Sequence, residues 1–182
     1  MLRSRKEPGN KTRTIWSPFR IALPLLLLAA GTAGAQEVKR LDGGGAWRAY
    51  STKEQGQLLC YMASKPSKDE GNYARRGEIY LMVAHRPSEQ STNVVSVTAG
   101  YDYKQDSSVR ILIDKEAFEL FTHKDTAWAP TEQDDKKLVD AMIKGKTMVV
   151  QGTSSRGTKT IDTYSLIGFT KAYRSINKAC GR

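Results

Sequence analysis

Histidine and cysteine occur only twice each in the 182 residues, and proline only six times. Two cysteines cannot build a structural zinc site by themselves, and so few exclude a disulfide-dense miniprotein. His85 and His123 form no H-x-x-x-H pair and stand in no dense His/Asp/Glu cluster, so the common zinc-hydrolase pattern is missing. No G-x-x-x-x-G-K-[ST] or G-x-G-x-x-G run sits at a strand-to-helix junction, which leaves a nucleotide cofactor or partner without support. The run Gly152-Thr153-Ser154-Ser155-Arg156-Gly157 is not a G-x-S-x-G elbow, and its surroundings read as a hairpin where that motif needs strand-to-helix. No cofactor and no metal are predicted. Pro/Ser-rich linkers, long charge blocks and internal repeats are also absent, so the chain reads as one folded domain behind a short leader.

Positive charge is present in excess, 29 Lys and Arg against 19 Asp and Glu, but it is unevenly placed. Residues 1–35 hold six basic side chains and one acid, and the run from Ile21 to Ala33 has no charge at all. A basic stretch, a short apolar run and the small-x-small pattern Ala33-Gly34-Ala35 make up a cleavable signal peptide, with the cut before Gln36. The apolar run falls well short of the roughly 20 residues a spanning helix needs. No cysteine precedes Cys60, so lipid attachment at the cleavage point is excluded, and the leader has no paired arginine. The remaining 147 residues carry 23 basic and 18 acidic side chains, a net of +5 with no recognisable nucleic-acid module. Nucleic acid is therefore not an expected partner.

Export to an oxidising compartment gives the even cysteine count a meaning. Only one intramolecular pair exists, Cys60 with Cys180, and it would tie an early strand to the end of the chain. A redox-active pair would want close C-x-x-C spacing, which is absent.

Along the exported part, residues 36–45 end in Gly43-Gly44-Gly45 and read as a flexible lead-in to a single domain over 46–182. Strands are predicted at 47–51, 58–64, 79–84, 94–99, 109–114, 118–122, 148–152 and 160–166, while 65–77, with Pro66, Gly71 and Gly77, reads as a long surface loop. Strands this short and this frequent predict a sandwich or barrel. Two segments change period. Thr131 caps a helix to about 144 whose acids Glu132, Asp134 and Asp135 suit the positive end of the dipole, with Leu138, Val139, Met142 and Ile143 forming its apolar face. A second helix, about 169–179, aligns Phe169, Ala172, Tyr173 and Ile176, with Cys180 continuing that stripe.

Arg75 and Arg76 in one loop, with Arg156 and Lys159 at a hairpin tip, are the candidate anion- or partner-binding group. They act together only if the two loops meet at one end of the sandwich; otherwise they are solvated loop charges. Tyr73, Tyr101 and Tyr103 are candidate interface aromatics or half-buried strand-end residues. Both histidines read as surface or rim residues. The three acids at the first helix start would ligate calcium on paper, but their place at a helix N-terminus explains them without an ion.

A tryptophan, Trp47, near the start of the exported part, a cysteine on the following strand, the stretch Arg75-Arg76-Gly77-Glu78-Ile79-Tyr80-Leu81-Met82-Val83, the run Gly152 to Thr158, and Asp162-Thr163-Tyr164-Ser165-Leu166-x-Gly168-Phe169 before a C-terminal cysteine together resemble the invasion associated locus B family. The resemblance spans essentially the whole exported chain. It implies a mainly β, immunoglobulin-like β-sandwich in a periplasmic or outer-envelope bacterial protein. It supplies no catalytic residues, and the family takes its name from a locus linked to host-cell invasion. The expected function is non-enzymatic binding of an envelope or surface protein, or of an anionic envelope component. Two other expectations stand beside it: an envelope hydrolase with dispersed residues including His85 or His123, and a structural subunit that lends an edge strand to an assembly.

Overall fold

The computed structural model describes residues 37–182; the leader and its cleavage site lie outside the described residues. The chain runs through β1 (Lys39–Arg40), β2 (Arg48–Glu54), β3 (Gln57–Ser64), β4 (Lys68–Gly71), β5 (Tyr80–Arg86), β6 (Ser91–Thr98), β7 (Ser108–Ile113), β8 (Glu116–His123) and β9 (Thr126–Trp128). It then continues through α1 (Glu132–Lys144), β10 (Thr147–Thr153), β11 (Lys159–Ser165) and α2 (Phe169–Ala179). All neighbouring strands pair antiparallel in the order β1-β2-β3-β5-β6-β9-β8-β7-β10-β11-β4.

That order forces the sheet to fold over on itself. β3 and β4 lie eight places apart in it, yet only Lys65, Pro66 and Ser67 join them. Those residues reach at most about 15 Å, whereas eight flat strand spacings would cover about 38 Å. The two ends meet: Ser67 N–H donates to Thr163 O at 2.7 Å, and the Trp47 indole N–H donates to Ser165 O at 2.9 Å. The mainly β fold with two short helices expected from the sequence is the fold observed, with one core between the two halves of the sheet.

Period-2 patterning fills that core. Cys60 and Met62 of β3, Leu81 and Val83 of β5, Val95 and Val97 of β6, and Ile111 and Ile113 of β7 are all fully buried. Trp47 meets Phe169 of α2 edge to face, with ring centroids 4.9 Å apart, and so fastens β2 to the second helix. α2 lies on β2, β3 and β5, and α1 on β6 and β8. The Thr131 hydroxyl accepts the Asp134 N–H at 3.2 Å, which is the expected N-cap. Ile143 departs from the predicted apolar face of α1, standing at its exposed rim.

Cys60 and Cys180 form a disulfide with Cα atoms 6.0 Å apart. It closes a separation of 120 residues and pins the end of α2 against β3.

Three local expectations change. A flexible lead-in was predicted over 36–45, but its described residues, 37–45, are docked: Lys39–Arg40 pairs with β2, and Gly44 lies against the start of α2. A Cβ on Gly168, whose φ is +91°, would sit 2.2 Å from the Gly44 backbone, so close approach and not looseness explains the glycines. The predicted loop 65–77 contains β4, and a short β9 follows β8. Both sheet edges are short and charged, Lys39–Arg40 on one side and Lys68, Asp69 and Glu70 on the other.

Candidate functional site

Three loops gather at one end of the domain: 72–77 after β4, 99–103 after β6, and the β10–β11 hairpin tip at 154–158. Backbone hydrogen bonds lace them together. Gly77 N–H donates to Gly100 O at 2.8 Å, Ser155 N–H to Asp102 O at 2.7 Å and Lys104 N–H to Thr153 O at 2.9 Å. Gly100 has φ +73°, and a Cβ there would lie 2.5 Å from the Gly77 carbonyl oxygen, so the first two loops pass as closely as two backbones can. Between the loops opens a cleft of about 770 Å³.

The arginine loop and the hairpin tip therefore do meet. Arg75 and Arg156 are exposed, line this one cleft from different loops, and make no ion pair or hydrogen bond among the described residues. Lys159 is exposed at the start of β11 but is not part of the lining.

Arg76 has another role. Its guanidinium forks onto Asp162 through two bonds of 2.6 Å, and Nε–H donates to Ala99 O at 2.7 Å. Both side chains of the pair are 3% exposed, so Arg76 is a buried structural cation and is not available to a ligand in the way the sequence allowed. Burial works to lower the Arg76 pKa, but the hydrogen bonds and charge of Asp162 outweigh it, and the net shift is upward. Burial pushes Asp162 above the ordinary carboxylate value, against the pull of Arg76. A bidentate geometry is what makes such a buried pair tolerable.

The same guanidinium lies 5.4 Å from the Tyr73 ring centroid and 5.0 Å from that of Tyr101. Tyr101 shares a 2.6 Å hydrogen bond with Thr160, and the Tyr73 hydroxyl donates to Asp69. Each ring is thus held at its tip as well as at its face. Tyr103 is buried, and its backbone bridges to Ser154. Of the three tyrosines, Tyr73 and Tyr101 reach the cleft.

Neither histidine does. His85, expected at the rim, is fully buried on β5 because the sheet alternation there turns it inward beside Leu81 and Val83. Its Nδ1 accepts the Asn93 N–H at 3.0 Å, and its ring centroid stands 5.9 Å from that of Tyr173. Burial lowers its pKa from the ordinary imidazole value, with Asn177 opposing the shift and Arg182 adding to it. His123 is exposed at the end of β8. Among the described residues neither histidine lines the cleft.

The acids of α1 are likewise engaged within the fold. Asp134 takes part in the Thr131 cap and pairs with Lys137 at 3.3 Å. Asp135 is buried, and its Oδ1 accepts the Val95 N–H at 2.8 Å beyond the end of β9. Among the described residues no group of three or more His, Cys, Asp and Glu is placed to hold a metal ion.

Sequence reasoning named Asp162 and Asp135 but missed that both are buried, one under Arg76 and the other on the Val95 N–H. The burial of Asp162 was visible in principle, because Thr160, Asp162 and Tyr164 alternate onto the core face, and an inward acid calls for a buried partner.

Fold and cleft together define a disulfide-stapled, mainly β domain with a polar groove between its end loops. Residues 47–177 match the Invasion associated locus B (IalB) protein family, and the chain belongs to that family. It is similar in fold to the crystal structure of invasion associated protein B from Bartonella henselae, at 19% identity and a TM-score of 0.55, over 76% of this chain and 95% of that one. No curated protein matches it.

Proposed function

We propose that this protein is exported to the bacterial envelope and acts there by binding, without catalysis, through the cleft between the three loops. The observation that carries this reading is the pair Arg75 and Arg156, brought from separate loops to one cleft and left without carboxylate partners among the described residues. Free cations on a rigid frame recruit an anionic envelope component or an acidic partner surface. The leader sequence and the disulfide support export, since a crosslink of this kind persists in an oxidising compartment. Family membership supports an invasion-associated setting.

The first experiment is intact and non-reduced peptide mass analysis of a periplasmic extract. A chain starting at Gln36 with Cys60 joined to Cys180 is expected. A full-length, reduced chain in the cytoplasm would overturn the export reading. Turnover of an envelope glycan, ester or peptide, lost on replacing one acid or histidine, would overturn the non-catalytic one.

A further inference from the structure

We propose that the cleft is a subsite for a carboxylated saccharide, a sugar acid held by its carboxylate at Arg75 and Arg156 with its ring against Tyr73 and Tyr101. The inference rests on the cleft being the binding surface and narrows what it binds.

Charge sets the first requirement. Arg75 and Arg156 are the exposed cations of the lining, since Arg76 is consumed by Asp162. The exposed Asp102 is on the same lining. A ligand that is anionic throughout, such as phosphate or a polyacidic peptide, meets that carboxylate as repulsion. A sugar acid is anionic at one end and carries hydroxyl donors elsewhere, so it satisfies the arginines and the aspartate together.

The walls set the second. Ala74 is the one aliphatic side chain of the lining, which gives an acyl chain nothing to bury against. Tyr73 and Tyr101 instead offer half-buried rings, and Asn72, Ser155 and Thr158 offer amide and hydroxyl groups. Rings for the C–H face of a pyranose and polar groups for its hydroxyls are what a saccharide uses.

Rigidity sets the third. The tyrosines are held at their hydroxyls and against Arg76, and the loops are laced by backbone bonds, so little ordering is left for a ligand to impose.

The test uses the exported, disulfide-bonded protein and four probes: the methyl glycoside of galacturonic acid, which carries a single carboxylate, its methyl ester, inorganic phosphate and hexaglutamate. Calorimetry and NMR shift mapping are run on the native chain and on Arg75→Ala and Arg156→Ala, whose exposed positions leave the fold intact, as a melting curve verifies. The uronate is expected to bind and to shift the Tyr73 and Tyr101 signals. Esterification or either arginine variant is expected to weaken it about tenfold or more, the usual loss for a charge-assisted hydrogen bond. Uronate binding that is absent, or indifferent to esterification, overturns the saccharide assignment. If phosphate or hexaglutamate binds instead and responds to both variants, the saccharide assignment falls while the cleft stands as a binding surface. If none of the four probes responds to the variants, both readings fall.

Discussion

Replacing Asp135 by asparagine should make this protein more stable at neutral pH. The carboxyl is buried under α1, and that burial is the main cause of a pKa raised to about 6 from 3.8; Asp134 and Glu132 add to it, while the Val95 N–H works against it. A native-state pKa above the unfolded one means that the folded protein holds the proton more tightly, so the wild type loses stability as pH rises through the window from about 4 to about 6. At about 1.4 kcal/mol per unit, a gap of roughly two units amounts to a penalty of about 3 kcal/mol once the group is ionised. Asparagine keeps an oxygen to accept the Val95 N–H and removes the charge. The raised pKa is the net of everything the ionised group meets in the fold, the helix start included, so the gain at pH 7 is about 2 to 3 kcal/mol. Urea unfolding of both proteins at intervals from pH 4 to pH 7 gives the difference directly, and titrations common to both, such as those of His85 and Asp162, cancel. The difference should be near zero at pH 4 and grow with pH. A flat difference, or an asparagine variant less stable at pH 7, would refute the reasoning.

Arg76→Ala or Asp162→Ala alone should cost about 3 to 5 kcal/mol, because each strands a buried charge, and joint replacement by apolar residues of similar volume should cost much less than the two single losses added; denaturant midpoints of the four proteins decide it. Removing the Cys60–Cys180 bridge should cost about 4 to 5 kcal/mol for a loop of that length, read from unfolding with and without reductant. The His85 imidazole should stay neutral as pH falls past 6.5 in the native protein. Its depressed pKa means a stability contribution present above the unfolded value and lost toward lower pH, and an imidazole NMR titration with its midpoint at 6.5 or above would contradict this. Gly168→Ala should destabilise by about 1 to 3 kcal/mol through the αL backbone and the Gly44 contact, measured by thermal melting.

The parts of the fold legible in the sequence are those where side chains carry the signal. β3, β5, β6, β7, β10 and β11 announce themselves by alternation or by unbroken apolar runs, and α1 by its Thr131 cap and apolar face. β4 does not, because Lys68, Asp69, Glu70 and Gly71 bury nothing; that strand exists only because β11 presents a free edge to it. β9 is three residues long, and its pairing with both β6 and β8 fixes it. Backbone pairing leaves no trace in composition, so strands of this kind become visible only once their neighbours are placed.

The site follows the same rule with a sharper outcome. Arg75 and Arg76 are adjacent and chemically identical, and nothing local tells them apart. The sheet folds over, Asp162 comes to lie under one of them across 86 residues of chain, and that arginine sinks into the fold while its neighbour stays in the cleft. An arginine count therefore overstates the positive charge offered to a ligand, and Asp102 reduces it further. What remains is a modest, directional charge set between fixed aromatic rings, a better match for a weak acid carrying hydroxyl groups than for a strongly charged polyanion.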